Sequence, residues 1–168
     1  MKLAISKMSA IYLTGVLLFF AAIFPNTTRA GEGKESLPHN DLALFLGLAA
    51  ETNRDTPDEN TFAIGMEYEL RFREHWGIGA AVEFLGHDTI RDAVVVVPVS
   101  FHPKGNWRVF AGPGAELTSR EDKFLVRLGV GYQIPLNGHW RLAPQVMGDF
   151  IDGGPITWTG GLAIGYAF

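Results

Sequence analysis

The chain has 168 residues, 47% hydrophobic and 19% charged, which excludes a disordered or heavily solvated polypeptide. The formal charge is −4; the first thirty residues hold three of the 14 bases (Lys2, Lys7, Arg29) and no acid, so beyond them 11 bases face 18 acids, a net of −7 that disfavours a nucleic-acid-binding surface. Cysteine is absent, which excludes disulfides, thiolate metal sites and cysteine nucleophiles.

The first element is a leader. Lys2 and Lys7 precede an apolar run from Ile11 to Phe24, Pro25 breaks it, and Thr28-Arg29-Ala30 places small residues three and one before Gly31. A positive end, an apolar stretch and a small-residue cleavage site predict a signal peptide over 1–30, cut after Ala30. The run is shorter than the roughly 20 residues a membrane-spanning helix needs. Residues 31–40 are polar and read as a short periplasmic tail.

Beyond the tail the chain alternates. In Thr61–Phe72 every second residue (Phe62, Ile64, Met66, Tyr68, Leu70, Phe72) is large and apolar, while Thr61, Ala63, Gly65, Glu67, Glu69 and Arg71 occupy the other face. A two-residue period is the mark of a strand with one apolar and one polar face. The same pattern starts at Leu42 and recurs from Trp76, Ala93, Trp107, Lys123, Trp140 and Thr157, which predicts eight strands of about ten residues.

The large residues form continuous apolar faces, and the opposite faces carry Gly, Ala, Glu, Arg and Gln. Tilted strands of about 9–11 residues span a bilayer, and only a closed barrel does so without unpaired edges. The predicted fold is therefore all-β: an eight-stranded antiparallel up-and-down transmembrane barrel over residues 41–168, apolar side outward. The connections alternate between long (Glu51–Asn60, Leu85–Asp92) and short (Arg73–His75, His102–Asn106), with Thr118–Asp122, Pro135–His139 and Ile151–Pro155 following. Short turns face the periplasm in such barrels, so both termini are expected there. Trp76, Trp107 and Trp140 each open a strand after a short turn; with Phe72, Phe101 and Tyr132 they predict an aromatic girdle at that interface.

This pattern over Asp41–Phe168 resembles the small eight-stranded outer-membrane barrels of Gram-negative bacteria, of the outer-membrane protein A and X type. The ending TWTGGLAIGYAF, with Tyr166 and the terminal Phe168, is similar to their C-terminal assembly signal. Ala163 stands where that signal usually has glycine, so the match is partial. The resemblance implies engagement by periplasmic chaperones and the barrel-assembly machinery, and a bacterial outer-membrane setting in phospholipid and lipopolysaccharide.

An eight-stranded barrel is just wide enough for its own side chains. The inward polar set is Glu67, Glu69, Arg71, Glu83, Arg108, Glu116, Arg127, Gln133, Arg141, Gln145 and Asp149, with both signs present. Buried charges must pair, so these residues are expected to form a polar network that fills the lumen. Inward glycines at 77, 79, 112, 114, 129, 131, 161 and 165 leave room for long neighbours. A narrow gated channel for ions or small solutes is the alternative use of the same residues.

Catalysis has little support. The only serines after the leader are Ser36, Ser100 and Ser119. Ser100 and His102 share a face at the periplasmic end, and His87, Asp88 and Ser119 sit in outer loops; a lipid A-modifying enzyme would draw on the latter trio. His75, His102 and His139 fall in separate turns, too far apart for one zinc ion, and the acidic loop with Glu51, Asp55, Asp58 and Glu59 lacks calcium-loop spacing. The expectation is a monomer without metal or cofactor, structural or surface-interacting rather than catalytic.

Overall fold

The computed structural model describes residues 40–52, 60–86, 90–103, 105–118 and 121–168. The expected leader (1–30), residues 31–39 of the tail, most of the acidic loop (53–59), and His87, Asp88 and Ser119 lie outside the described residues.

Eight antiparallel strands follow one another in chain order. They are β1 (Asn40–Thr52), β2 (Asn60–Arg73), β3 (Trp76–Gly86), β4 (Ile90–Val96 and Val99–Phe101), β5 (Trp107–Leu117), β6 (Asp122–Tyr132 and Ile134–Asn137), β7 (Trp140–Ile151) and β8 (Ile156–Ala167). Each pairs with the next, and β8 pairs with β1 from Thr52↔Ile156 to Asp41↔Ala167, so the sheet closes and has no edge. Asn40 and Phe168 join the two ends through two main-chain hydrogen bonds, of 3.2 and 2.9 Å. Closure removes the unpaired N–H and C=O groups of an open sheet.

The register gives the shape. Stepping from partner to partner around the wall, Asp41 leads through Glu69, Gly79, Pro98, Gly112, Arg127, Asp149 and Thr157 to Glu51, ten positions up the same strand. That stagger over eight strands corresponds to a tilt of about 40°. The eleven residues of β5 then rise about 25 Å along the barrel axis, the height of an outer-membrane apolar band.

Two strands are interrupted, and proline accounts for the setting of each gap. In β4 the break falls at Val97-Pro98; Pro98 has no N–H for the ladder, yet its carbonyl accepts from Gly79 N at 2.8 Å and Val97 N donates to Pro113 O at 3.0 Å. In β6 the break falls at Gln133, beside the register position of Pro144, and Gln133 N donates instead to Asn106 O at 2.7 Å.

The connections are shorter than the sequence reading has them. Leu85, Gly86 and Ile90–Asp92 belong to strands, because the β3–β4 ladder runs on to Gly86↔Ile90. Pro135–Asn137 continue β6 against Arg141 and Trp140, leaving a turn of Gly138 and His139. Gly138 takes a positive φ of 54°, which L residues rarely adopt, so the reversal needs only two residues.

Candidate functional site: a layered lumen

Strand alternation sends odd-numbered side chains of β1 inward and even-numbered ones outward, and the other strands repeat the separation. Glu67, Glu69, Glu83, Arg108, Arg127, Arg141, Gln145 and Asp149 are buried inside the barrel; Arg71, Gln133 and Glu116 are partly buried at its two rims. Following the register from the end that carries the termini, the interior divides into a large polar cluster, an apolar layer, a smaller charged cluster and a second apolar layer.

The first cluster centres on Glu67 and Glu69 of β2. Arg108 reaches across from β5; its Nη1 donates to Glu67 Oε2 at 2.8 Å, and its Nε lies 2.8 Å from Glu69 Oε2 as an ion pair without hydrogen-bond alignment. Gln145 Nε2 donates to Glu67 Oε1 at 2.6 Å. Glu69 Oε1 also lies 2.6 Å from His102 Nε2 and 3.3 Å from Arg71 Nε. Arg71 Nη2 donates to Gln133 Oε1 at 2.6 Å, a contact spanning opposite sides of the barrel. Arg141 of β7 holds Asp41 of β1 in a two-point fork through Nε and Nη2. Glycine makes room: a Cβ at Gly77 would stand 2.6 Å from Ser100 Oγ and 2.7 Å from Glu69 Oε1, and one at Gly165 would stand 2.9 Å from Arg141 Cζ.

An apolar layer lies between the polar groups of the lumen. Phe45, Phe110 and Met147 are buried inside the barrel with Ala43, Ala63, Ala143 and Ala163. Phe110 lies over Gly129, where a Cβ would come within 2.2 Å of its ring, and Phe45 lies against Gly161. Arg108 stacks on the Phe110 ring at 4.6 Å, which ties the polar cluster to this layer. Beyond it, Arg127 binds Asp149 in a second fork, both distances 2.6 Å, and gives Nη1 to Glu83 Oε2 across the lumen at 2.7 Å. Val94, Val96, Leu125 and Ile151 pack above. Glu116 joins neither cluster; it stands at the far rim, in register with Lys123.

The sequence reading left Asp41 out of the inward polar set; it placed Ser100 and His102 together as a polar pair at the lumen end, where both are buried, and put Phe45, Phe110 and Met147 on the inward face without assigning them a shared layer. Asp41 has the parity of Ala43 and Phe45 and so was legible as inward. His102 is drawn in because its N–H donates to His75 O at 2.8 Å, extending β4 by one residue. Glu69 occupies its Nε2, while the Ser100 hydroxyl is buried with no hydrogen-bond partner.

Outside, the wall is apolar from end to end, with residues such as Leu44, Leu48, Val109, Leu128, Val146 and Ile164 exposed. At the terminus-bearing end the Trp76 ring packs tilted against Phe101 (4.9 Å between centroids), and Trp107 and Trp140 meet Tyr132 and Tyr166 edge to face (5.1 Å each). The first two are register partners across β3–β4 and β5–β6, and the third across β7–β8. Phe168 stacks on Tyr166 at 6.4 Å, and Phe72 is exposed on the same end. A second set of exposed aromatics, Phe62, Phe124, Phe150 and Trp158, edges the other end. Trp158 lies over its register partner Gly148. The first set is rich in Trp and Tyr, with polar handles; the second is mostly Phe.

No protein-family model matches the chain, and no curated protein matches it in sequence. Solved structures do. The N-terminal β-barrel domain of Pseudomonas aeruginosa OprF superimposes with a TM-score of 0.59 at 12% identity, over 79% of this chain and 100% of that one. Ail, the attachment invasion locus protein of Yersinia pestis, gives 0.55 at 12% identity, over 77% and 97%. Neisserial surface protein A gives 0.53 at 10% identity, over 80% and 100%. The barrel described here has the fold of the small eight-stranded outer-membrane β-barrels.

Proposed function

We propose that this protein is a monomeric integral barrel of the bacterial outer membrane, with a plugged lumen and a structural or surface-interaction role rather than a catalytic one. The observation that carries the reading is the outer wall: a closed sheet with an uninterrupted apolar face, edged at both ends by aromatic side chains. A soluble monomer rarely exposes apolar patches beyond a few hundred Å², whereas lipid requires such a surface. The short turns at 74–75 and 138–139, the turn residues 102–103 and 105–106, and both ends of the barrel share the Trp- and Tyr-rich end, which supports a periplasmic location for them. Phospholipid and lipopolysaccharide are the partners in place, with chaperones and the barrel-assembly machinery acting on the nascent chain through the Tyr166 and Phe168 ending.

The lumen supports a plug over a channel, because Phe45, Phe110 and Met147 separate the two charged clusters and interrupt a continuous polar path. Ail is named for attachment and invasion, and the same fold serves other proteins, so the fold does not choose the task. The connections opposite the termini are only three to seven residues long in sequence (53–59, 87–89, 118–121 and 152–155), which favours a general structural role ahead of adhesion. Density-gradient fractionation of cell envelopes tests the location: co-migration with lipopolysaccharide is expected, and recovery in the soluble fraction would overturn it. Lipid A from cells with and without the protein should have the same mass spectrum; a gained or lost acyl chain would make it an enzyme.

A further inference from the structure

Two main-chain carbonyls in the wall face proline nitrogens where the ladder needs N–H groups. The register between β3 and β4 is the same at Ala81↔Val96 and Ile78↔Val99, so Gly79 stands opposite Pro98. The register between β4 and β5 is the same at Val96↔Gly114 and Val99↔Ala111, so Val97 stands opposite Pro113. Two residues that face each other across a hydrogen-bonded antiparallel pair exchange two bonds. Here each pair makes one: Gly79 N donates to Pro98 O at 2.8 Å, and Val97 N donates to Pro113 O at 3.0 Å. The return bonds would need N–H groups on Pro98 and Pro113, and proline has none. Gly79 O and Val97 O thus lack their ladder donors, one on each side of β4 and at neighbouring positions along it.

Side chains do not replace the missing rungs. The buried residues of β4 here are Val94, Val96, Pro98 and Ser100; three have no polar side chain, and the Ser100 hydroxyl makes no hydrogen bond. Glycine stands at the inward positions beside them, at 77 and 79 on β3 and at 112 and 114 on β5. A Cβ at Gly112 would run into Val97 O, so the strands meet there backbone to backbone. Elsewhere side chains reinforce the wall: the Arg127 fork joins β6 to β7, and the Arg141 fork ties β7 to β1.

We propose that the β3–β4–β5 joint at Pro98 is a hinge in the wall. There β4 parts locally from both neighbours while the β8–β1 closure and the two arginine forks stay in place. Local opening takes place where few interactions have to be broken, and this joint has lost one rung on each side of the same strand. The missing rungs belong to the ladder itself, so the hinge operates in detergent and in lipid alike and does not depend on the outer-membrane reading.

Amide hydrogen exchange of the full folded chain in micelles, followed by NMR, tests the hinge. Protection is compared after correction for intrinsic exchange rates. Gly79 and Val97 should be protected about tenfold less than Phe45 and Ala163, register partners on the β1–β8 closure. Pro98→Ala supplies an N–H opposite Gly79 O, and Pro113→Val supplies one opposite Val97 O. Each should raise the protection of Gly79 and Val97 about tenfold and leave Phe45 and Ala163 as they were. Pro113 is on the exposed face of β5, so its replacement leaves the lumen packing alone if Pro98→Ala fails to fold; heat-dependent gel mobility checks both variants. Equal protection of the four amides in the unaltered chain would overturn the proposal. So would a folded Pro113→Val barrel in which Val97 exchanges as before, or one in which all four amides slow together, since exchange would then proceed through global unfolding.

Discussion

Arg127 stands between two carboxylates with almost no water around it, so its charge and theirs hold one another in place. Removing one member of such a buried set leaves uncompensated charge and costs about 3–5 kcal/mol. Arg127→Met should therefore destabilise the barrel by that order, read as a lower urea midpoint for unfolding from lipid vesicles. Adding Glu83→Gln and Asp149→Asn should restore most of the loss, and no recovery would show that Arg127 acts through packing instead. The Phe110 ring sets a different constraint, because a Cβ at residue 129 would fall inside it. Gly129→Ala should cost about 1–3 kcal/mol in the same assay, and Phe110→Leu should relieve part of that cost if the clash is the cause. At this scale the inward or outward sense of most side chains was legible, since strand parity is local. Which Glu meets which Arg was not. Arg108 lies 41 residues from Glu67, and their contact exists only after the wall has curved round.

Single elements show where the period-two reading sufficed and where backbone chemistry modified it. All eight strands have the apolar parity seen in the sequence. Their ends differ because a ladder continues as long as partners remain: β3 and β4 pair to Gly86↔Ile90, and β6 runs to Asn137 against Trp140. Proline had a readable effect in β4, where Pro98 removes a donor; the break at Gln133 depends on Pro144 of the next strand and was not readable from β6 alone. The closing pair, β1 and β8, depends on its last residue. Phe168 gives Asn40 one main-chain hydrogen bond, accepts another, and stacks on Tyr166. Deleting Phe168 should reduce the fraction that folds into lipid vesicles, seen as loss of the faster- or slower-migrating unheated band on a gel. An undiminished folded fraction would show that β1 and β8 join without it.

For the whole molecule the decisive property is that a closed wall is filled from within. The polar clusters and the two apolar layers occupy the lumen in sequence, so the barrel is expected to remain non-conducting at all voltages in a planar bilayer. A steady open state of the unaltered chain would refute the plug. The folded and boiled chains should also migrate differently on a gel, since a closed sheet resists detergent until heated, and identical migration would count against the barrel.

The amino-acid sequence by itself determined that there are eight strands, that the large apolar side chains share one face, and that charges of both signs share the other. These are local consequences of a two-residue repeat and of the distances strands and turns can cover. Only the tertiary structure decided which residues meet, that Phe45, Phe110 and Met147 divide the lumen, and that Asp41, Gln133 and Arg141 surround a cavity at its rim. Those features depend on the ten-residue stagger with which β8 returns to β1. A stagger is a property of the closed sheet, because it sums the register of all eight strand pairs and is carried by no single segment.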